Sequence, residues 1–67
     1  SAADVALTPR EVDVVRELAA GGTNREAAAR LFVSETTFKT HLKRVYEKLG
    51  VSDRAAAVRV AYENGLI

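Results

Sequence analysis

Twice in this chain a threonine stands three positions ahead of a glutamate, in Thr8-Pro9-Arg10-Glu11 and in Thr23-Asn24-Arg25-Glu26. In such a pair the hydroxyl accepts an N–H from the first turn of a helix while the glutamate reaches back to the threonine's own N–H. Both tetrapeptides therefore read as helix starts. Pro9 reinforces the first, because an absent N–H costs nothing at the first helical position. Ser34 gives a third start, and Ser52 or Asp53 a fourth. The stops are equally plain at Gly21-Gly22, Gly50 and Asn64-Gly65, where glycine or asparagine tolerates the left-handed conformation that closes a helix. No window alternates polar and apolar residues with β-branched enrichment. The chain is expected to be all-α, with four helices.

Periodicity assigns the faces. Helix 1 is expected to bury Val12, Val15, Leu18 and Ala19, and the short helix 2 to bury Ala27, Ala28 and Leu31. Only Phe32 and Val33 separate Leu31 from Ser34, so helices 2 and 3 meet through a turn of about three or four residues, the connection of a helix-turn-helix. The usual turn glycine is absent. Helix 3, residues 35–49, places Phe38, Leu42, Val45 and Leu49 on one stripe, with Tyr46 on its flank. Its opposite side carries Thr36, Lys39, Thr40, Lys43, Arg44 and Glu47, with His41 and Lys48 towards one border. Helix 4, residues 54–63, is apolar almost all round. Packing Ala55, Val58 and Tyr62 inward would leave Ala56, Ala57 and Val60 as an exposed partner surface.

Sixty-seven residues without cysteine allow one small core and no covalent staple. No apolar run approaches the ~20 residues of a membrane span, and the N-terminal SAADVA lacks the features of a signal peptide. A cytoplasmic protein with no membrane partner is expected. Residues 1–6 read as a linker or an expression remnant, and 7–67 as the domain. The net charge is only +1, yet residues 34–49 hold four basic side chains against two carboxylates. Short polar and long basic groups thus share one helix face. A major groove asks for this mixture, since lysine donates to guanine O6 and N7, threonine bonds a base edge or touches a thymine methyl, and flanking cations reach phosphates. The plainer reading of such a face is a solvated helix surface; the tight turn before it and the threonines in its first turns favour DNA.

Catalytic readings fail on geometry and composition. His41 has no cysteine, second histidine or carboxylate at ligand spacing, so no metal is expected. Ser34 and His41 are separated by about 10 Å of helix, beyond nucleophile and base reach. Gly21-Gly22 follows no strand and precedes no Gly-Lys-Ser/Thr, so it is no phosphate loop. Neither enzymatic activity nor a cofactor is expected.

The stretch LTPREVDVVRELAAGGTNREAAARLFVSETTFKTHLKRVYEKLGVSDRAAAV closely resembles the LuxR-type helix-turn-helix, the effector domain of NarL/FixJ-type response regulators and of quorum-sensing regulators. Its markers are LTPRE, the Gly-x-Thr-Asn-Arg-Glu entry to helix 2, S-x-x-T-x-K-x-H, and KLGV before an Ala-rich helix. Two positions depart from the family pattern: Ala27 replaces the usual isoleucine and Phe38 the usual valine, a small-for-large and large-for-small pair. The resemblance implies base contacts from Lys39, Thr40 and Lys43, joined at the groove edge by Thr36 and Glu35. It implies phosphate contacts from Thr23 and Asn24 and from Ser34, Thr37, His41 and Arg44. It further implies dimerisation on DNA through helix 4, placed here on Ala56, Ala57 and Val60, with an upstream regulatory domain and RNA polymerase as further partners of the full protein. The competing reading is a helical protein-interaction module whose basic face docks an acidic partner. A sigma-factor promoter-reading region shares the architecture but fits LTPRE and KLGV less well.

Overall fold

A computed structural model describes residues 6–67. Residues 1–5, most of the expected linker, lie outside the described residues. The four expected helices form: α1 Pro9–Ala20, α2 Asn24–Arg30, α3 Glu35–Leu49 and α4 Arg54–Glu63. Each begins where its cap dictates. Thr8 and Thr23 both close complete capping boxes, Ser34 accepts the N–H of Thr37, and Asp53, not Ser52, caps α4 by accepting the N–H of Ala56 at 2.8 Å. Gly50 ends α3 in the left-handed conformation at φ 68°.

The core is Val14, Val15, Leu18, Ala27, Ala28, Phe38, Val45, Leu49, Ala57 and Ala61, with Leu31, Leu42 and Tyr46 packed partly against it. The stripe expected on α3 and the alanines expected on α2 are both there. On α1 the inner face is rotated from the expected one: Val14 is buried, Val12 is half-buried and Ala19 is exposed. Glu11 causes the rotation. This carboxylate is 3 % exposed, and its Oε1 accepts both the Thr8 N–H at 2.9 Å and the Lys48 ammonium at 2.7 Å. Residues 11, 14, 15 and 18 therefore form the buried stripe of α1. Lys48 also donates to the Ala6 carbonyl at 3.2 Å, which ties the entry of α1 to the last turn of α3.

The C-terminal end of α1 has no basic residue in its own last turn. Two arginines from elsewhere supply the missing charge and donors: Arg30 of α2 donates to the Gly21 carbonyl while pairing with Glu17, and Arg54 of α4 donates to the carbonyls of Leu18 and Gly22. Cations at this end also complement the helix dipole.

Arg54 sets the rotation of α4 as well. Arg54, Ala57 and Ala61 share one stripe at helical spacing, and both alanines are wholly buried. The faces expected for this helix are thereby reversed. Ala57, expected on the exposed partner surface, lies in the core; Val60 packs half-buried against it, and Ala56 is intermediate. Ala55 and Tyr62, expected inside, are exposed, and Val58 is half-buried. An almost uniformly apolar helix carries little phase information, so a long-range anchor decided what periodicity could not.

In the turn between α2 and α3, the N–H of Val33 donates to the Ala28 carbonyl at 3.0 Å and that of Phe32 to Ala29 at 3.1 Å. This pair of bonds closes a helix around a left-handed residue. Phe32 occupies that position at φ 58°, the one non-glycine residue with positive φ among the described residues. The turn that lacks its usual glycine is thus built with the usual geometry.

Candidate nucleic-acid interface

α3 buries Phe38, Val45 and Leu49, and the remaining side chains of its opposite face stand in solvent. Glu35, Thr36, Thr37, Lys39, Thr40, Lys43, Arg44 and Glu47 are exposed, and His41 is half-buried. The residues expected to meet bases are therefore brought together on one accessible surface. Their chemistry is differentiated. Lys39 pairs with Glu35 at 3.7 Å on the surface, a contact weak enough to exchange for a base or phosphate. Among the described residues Lys43 and Arg44 form no ion pair, so both cations are open to a ligand. Thr40 donates its hydroxyl to the Thr36 carbonyl at 3.1 Å. It therefore presents an acceptor oxygen and a methyl group outward, suited to a base amino group or a thymine methyl.

Lys48 does not join this surface. Its ammonium is held by Glu11, so one of the four basic side chains in the segment serves the fold. The lysine looked like part of the basic face because its partner is 37 positions away in sequence.

Helix starts supply the expected anion sites. Ser34 Oγ caps the Thr37 N–H at 3.0 Å and also bonds Thr37 Oγ1 at 3.0 Å. The N–H groups of Glu35 and Thr36 in that first turn have no acceptor within the helix, which suits a phosphate. The entry to α2 is more fully used. Thr23 N–H donates to the Glu26 carboxyl at 2.9 Å and Glu26 N–H to the Thr23 hydroxyl at 3.1 Å, and the bond from the Thr23 N–H is the main cause holding the Glu26 carboxyl below the usual carboxylate range. A fixed negative charge thus sits beside Thr23 and Asn24, where a phosphate contact was expected.

The reversed α4 exposes a different surface from the expected one. Ala55, Val58, Arg59 and Tyr62 line an open, mostly apolar groove with Leu18 and Ala19 of α1. Tyr62 is 72 % exposed. Among the described residues no group of histidine and carboxylate side chains could hold a metal ion, and no helix is long and apolar enough to cross a membrane.

A four-residue turn, Leu31 to Ser34, joining α2 to a solvent-facing, partly basic α3 defines a helix-turn-helix protein. Residues 5–61 match the family of bacterial regulatory proteins described as the luxR family, and the chain belongs to that family. The chain is 50 % identical over 61 residues to the probable transcriptional regulatory protein NarL of Mycobacterium tuberculosis, a match that covers 91 % of this chain and 28 % of that protein. It is 54 % identical over 52 residues to the probable transcriptional regulatory protein SgaR of Hyphomicrobium methylovorum, covering 78 % of this chain and 25 % of that protein. The crystal structure of the response regulator ChrA in a heme-sensing two-component system superposes with a TM-score of 0.89 at 48 % identity, over 92 % of this chain and 31 % of that one. The chain thus spans between a quarter and a third of the length of these relatives. The all-α fold is that of a response regulator's helix-turn-helix domain, and membership of the family makes this a DNA-binding transcription-regulator domain and not an enzyme.

Proposed function

We propose that the chain reads double-stranded promoter DNA by placing α3 in the major groove, with Lys39, Thr40 and Lys43 on base edges and Thr36 and Glu35 at the groove edge. Ser34, Thr37, His41 and Arg44 hold one phosphate strand, and Thr23 and Asn24 the other. The observation that carries this reading is the exposed face of α3, where Lys43 and Arg44, in no ion pair among the described residues, stand beside short hydroxyl side chains. In the full protein an upstream regulatory domain would govern binding, as part of a cytoplasmic two-component system, and RNA polymerase would be the downstream partner. The interaction-module alternative, with an acidic protein on the basic face, predicts no preference among DNA sequences.

Lys43→Ala is the direct test. A lysine at a base edge carries sequence information, so its loss is expected to cost about 1 to 3 kcal/mol on the best site and to relax choice at one base position. Titration against single-base variants of a duplex selected from a randomised pool reads both effects. A uniform loss with unchanged ranking would make Lys43 a phosphate contact.

Two copies are proposed to pair on DNA through α4. Because Ala57 is buried and Val60 half-buried, the pairing surface proposed here is the exposed Ala55 and Tyr62 in place of the expected Ala56, Ala57 and Val60. A two-fold axis would bury this face against itself. Ala55→Glu should leave folding near normal and remove cooperative binding to paired half-sites, because an unpaired glutamate in that interface is costly. Val60→Glu should instead lower the melting temperature of the single domain. If Ala55→Glu binds paired half-sites with undiminished cooperativity, the copies meet elsewhere.

A further inference from the structure

Phe32 is 95 % exposed and stands at φ 58° in the turn that leads into α3. Both facts run against folding. The ring gains almost no burial, and a side chain at this φ is strained where glycine would be relaxed. Nor does the ring help to close the turn, since both closing hydrogen bonds are made by the backbone. Glycine would serve the fold better.

We propose that Phe32 is a DNA contact, its ring lying against deoxyribose on the backbone strand beside the first turn of α3. The inference rests on the reading of α3 as the groove helix. Phe32 is two residues from Ser34, so their Cα atoms are at most about 7 Å apart. A side chain at this position therefore lies within reach of the wall of the groove that α3 is proposed to enter. That wall alternates charged phosphates with sugars whose C–H faces are apolar, and an uncharged aromatic ring matches the sugar. The hydrogen-bonded turn also fixes the backbone in advance, so little chain entropy is lost on contact. Proximity favours DNA over a protein partner, because the covalent chain delivers the ring to the one ligand that α3 engages. A sugar contact carries no sequence information and strengthens binding to every duplex alike.

The test compares Phe32→Gly, Phe32→Asn and Phe32→Tyr with the parent chain by thermal melting and by titration at several salt concentrations. The probes are a short duplex of arbitrary sequence and the tightest duplex from a randomised pool. Phe32→Gly should melt above the parent yet bind both duplexes roughly fivefold to tenfold more weakly. Its salt slope should not change, because the ring neutralises no phosphate. Phe32→Asn, which also tolerates the left-handed conformation, should lose the same affinity, and Phe32→Tyr should keep it. Undiminished affinity in Phe32→Gly overturns the proposal. So does a lower melting temperature, which would make the ring a folding residue, and so does a loss confined to transcription from a promoter carrying the selected duplex, which would assign the ring to a protein. Failure of the underlying groove reading is separable, since methylation of guanine N7 would then be tolerated throughout the selected duplex.

Discussion

Phe38→Ala is expected to leave the chain largely unfolded at physiological temperature. Phe38 is the largest of the fully buried side chains, and truncating a buried phenylalanine typically costs about 3 to 5 kcal/mol. A domain of this size holds only about 3 to 10 kcal/mol in total. The loss is therefore comparable with the whole stability, and helical circular dichroism should show it at once. Milder changes test why phenylalanine stands there. Phe38 and Ala27 share the buried cluster in which α2 meets α3, and each departs from the family pattern in the opposite sense. Phe38→Val should open a cavity and Ala27→Ile should overpack, each costing roughly 1 to 3 kcal/mol. The double variant should recover a large part of the summed loss. Strict additivity in urea melts would show that the two sites do not compensate.

Glu11→Ala should be the second most damaging single change, at about 2 to 4 kcal/mol, because one carboxylate both completes the cap of α1 and receives the Lys48 ammonium. The expected drop in melting temperature is on the order of 10 to 20 °C for a chain this short. Lys48→Met should also be destabilising, since it leaves a buried carboxylate without its cation. The same node gives a pH dependence. The hydrogen bond from Lys48, followed by that from Thr8, holds the Glu11 carboxyl below its ordinary range against the opposing effect of burial. A carboxyl depressed in the folded state binds fewer protons there than in the unfolded chain, so its contribution is complete above the ordinary carboxylate pKa and fades as pH falls through the depressed folded value. Urea midpoints of the parent should therefore fall more steeply across that acid window than those of Glu11→Gln. Parallel curves would show that Glu11 is not ionised in its pocket.

Helix positions were legible because their signals are local. Thr8, Thr23 and Ser34 start their helices where the hydroxyls stand, and Gly50 stops α3 as its left-handed backbone requires. The outward face of α3 was legible too, since its apolar stripe has a single phase. The misread parts depend on partners remote in sequence. Glu11 was recognised as a cap, but nothing near it announces Lys48, and the phase of α1 turned on that pair. The phase of α4 turned on Arg54 reaching back to the carbonyls of Leu18 and Gly22, which no pattern within α4 encodes. Phe32 escaped notice for another reason. Phenylalanine gives no local signal for a left-handed turn residue as glycine does, yet the structure keeps the turn and places the aromatic in it at φ 58°.

Methylation interference on the selected duplex tests the central claim most directly. Guanine N7 lies in the major groove and adenine N3 in the minor groove, so the two lesions report which groove α3 occupies. The account predicts that N7 methylation at the guanines of each half-site blocks binding while N3 methylation at neighbouring adenines leaves it intact. Blockage by N3 methylation alone, with N7 methylation tolerated throughout the site, would contradict it.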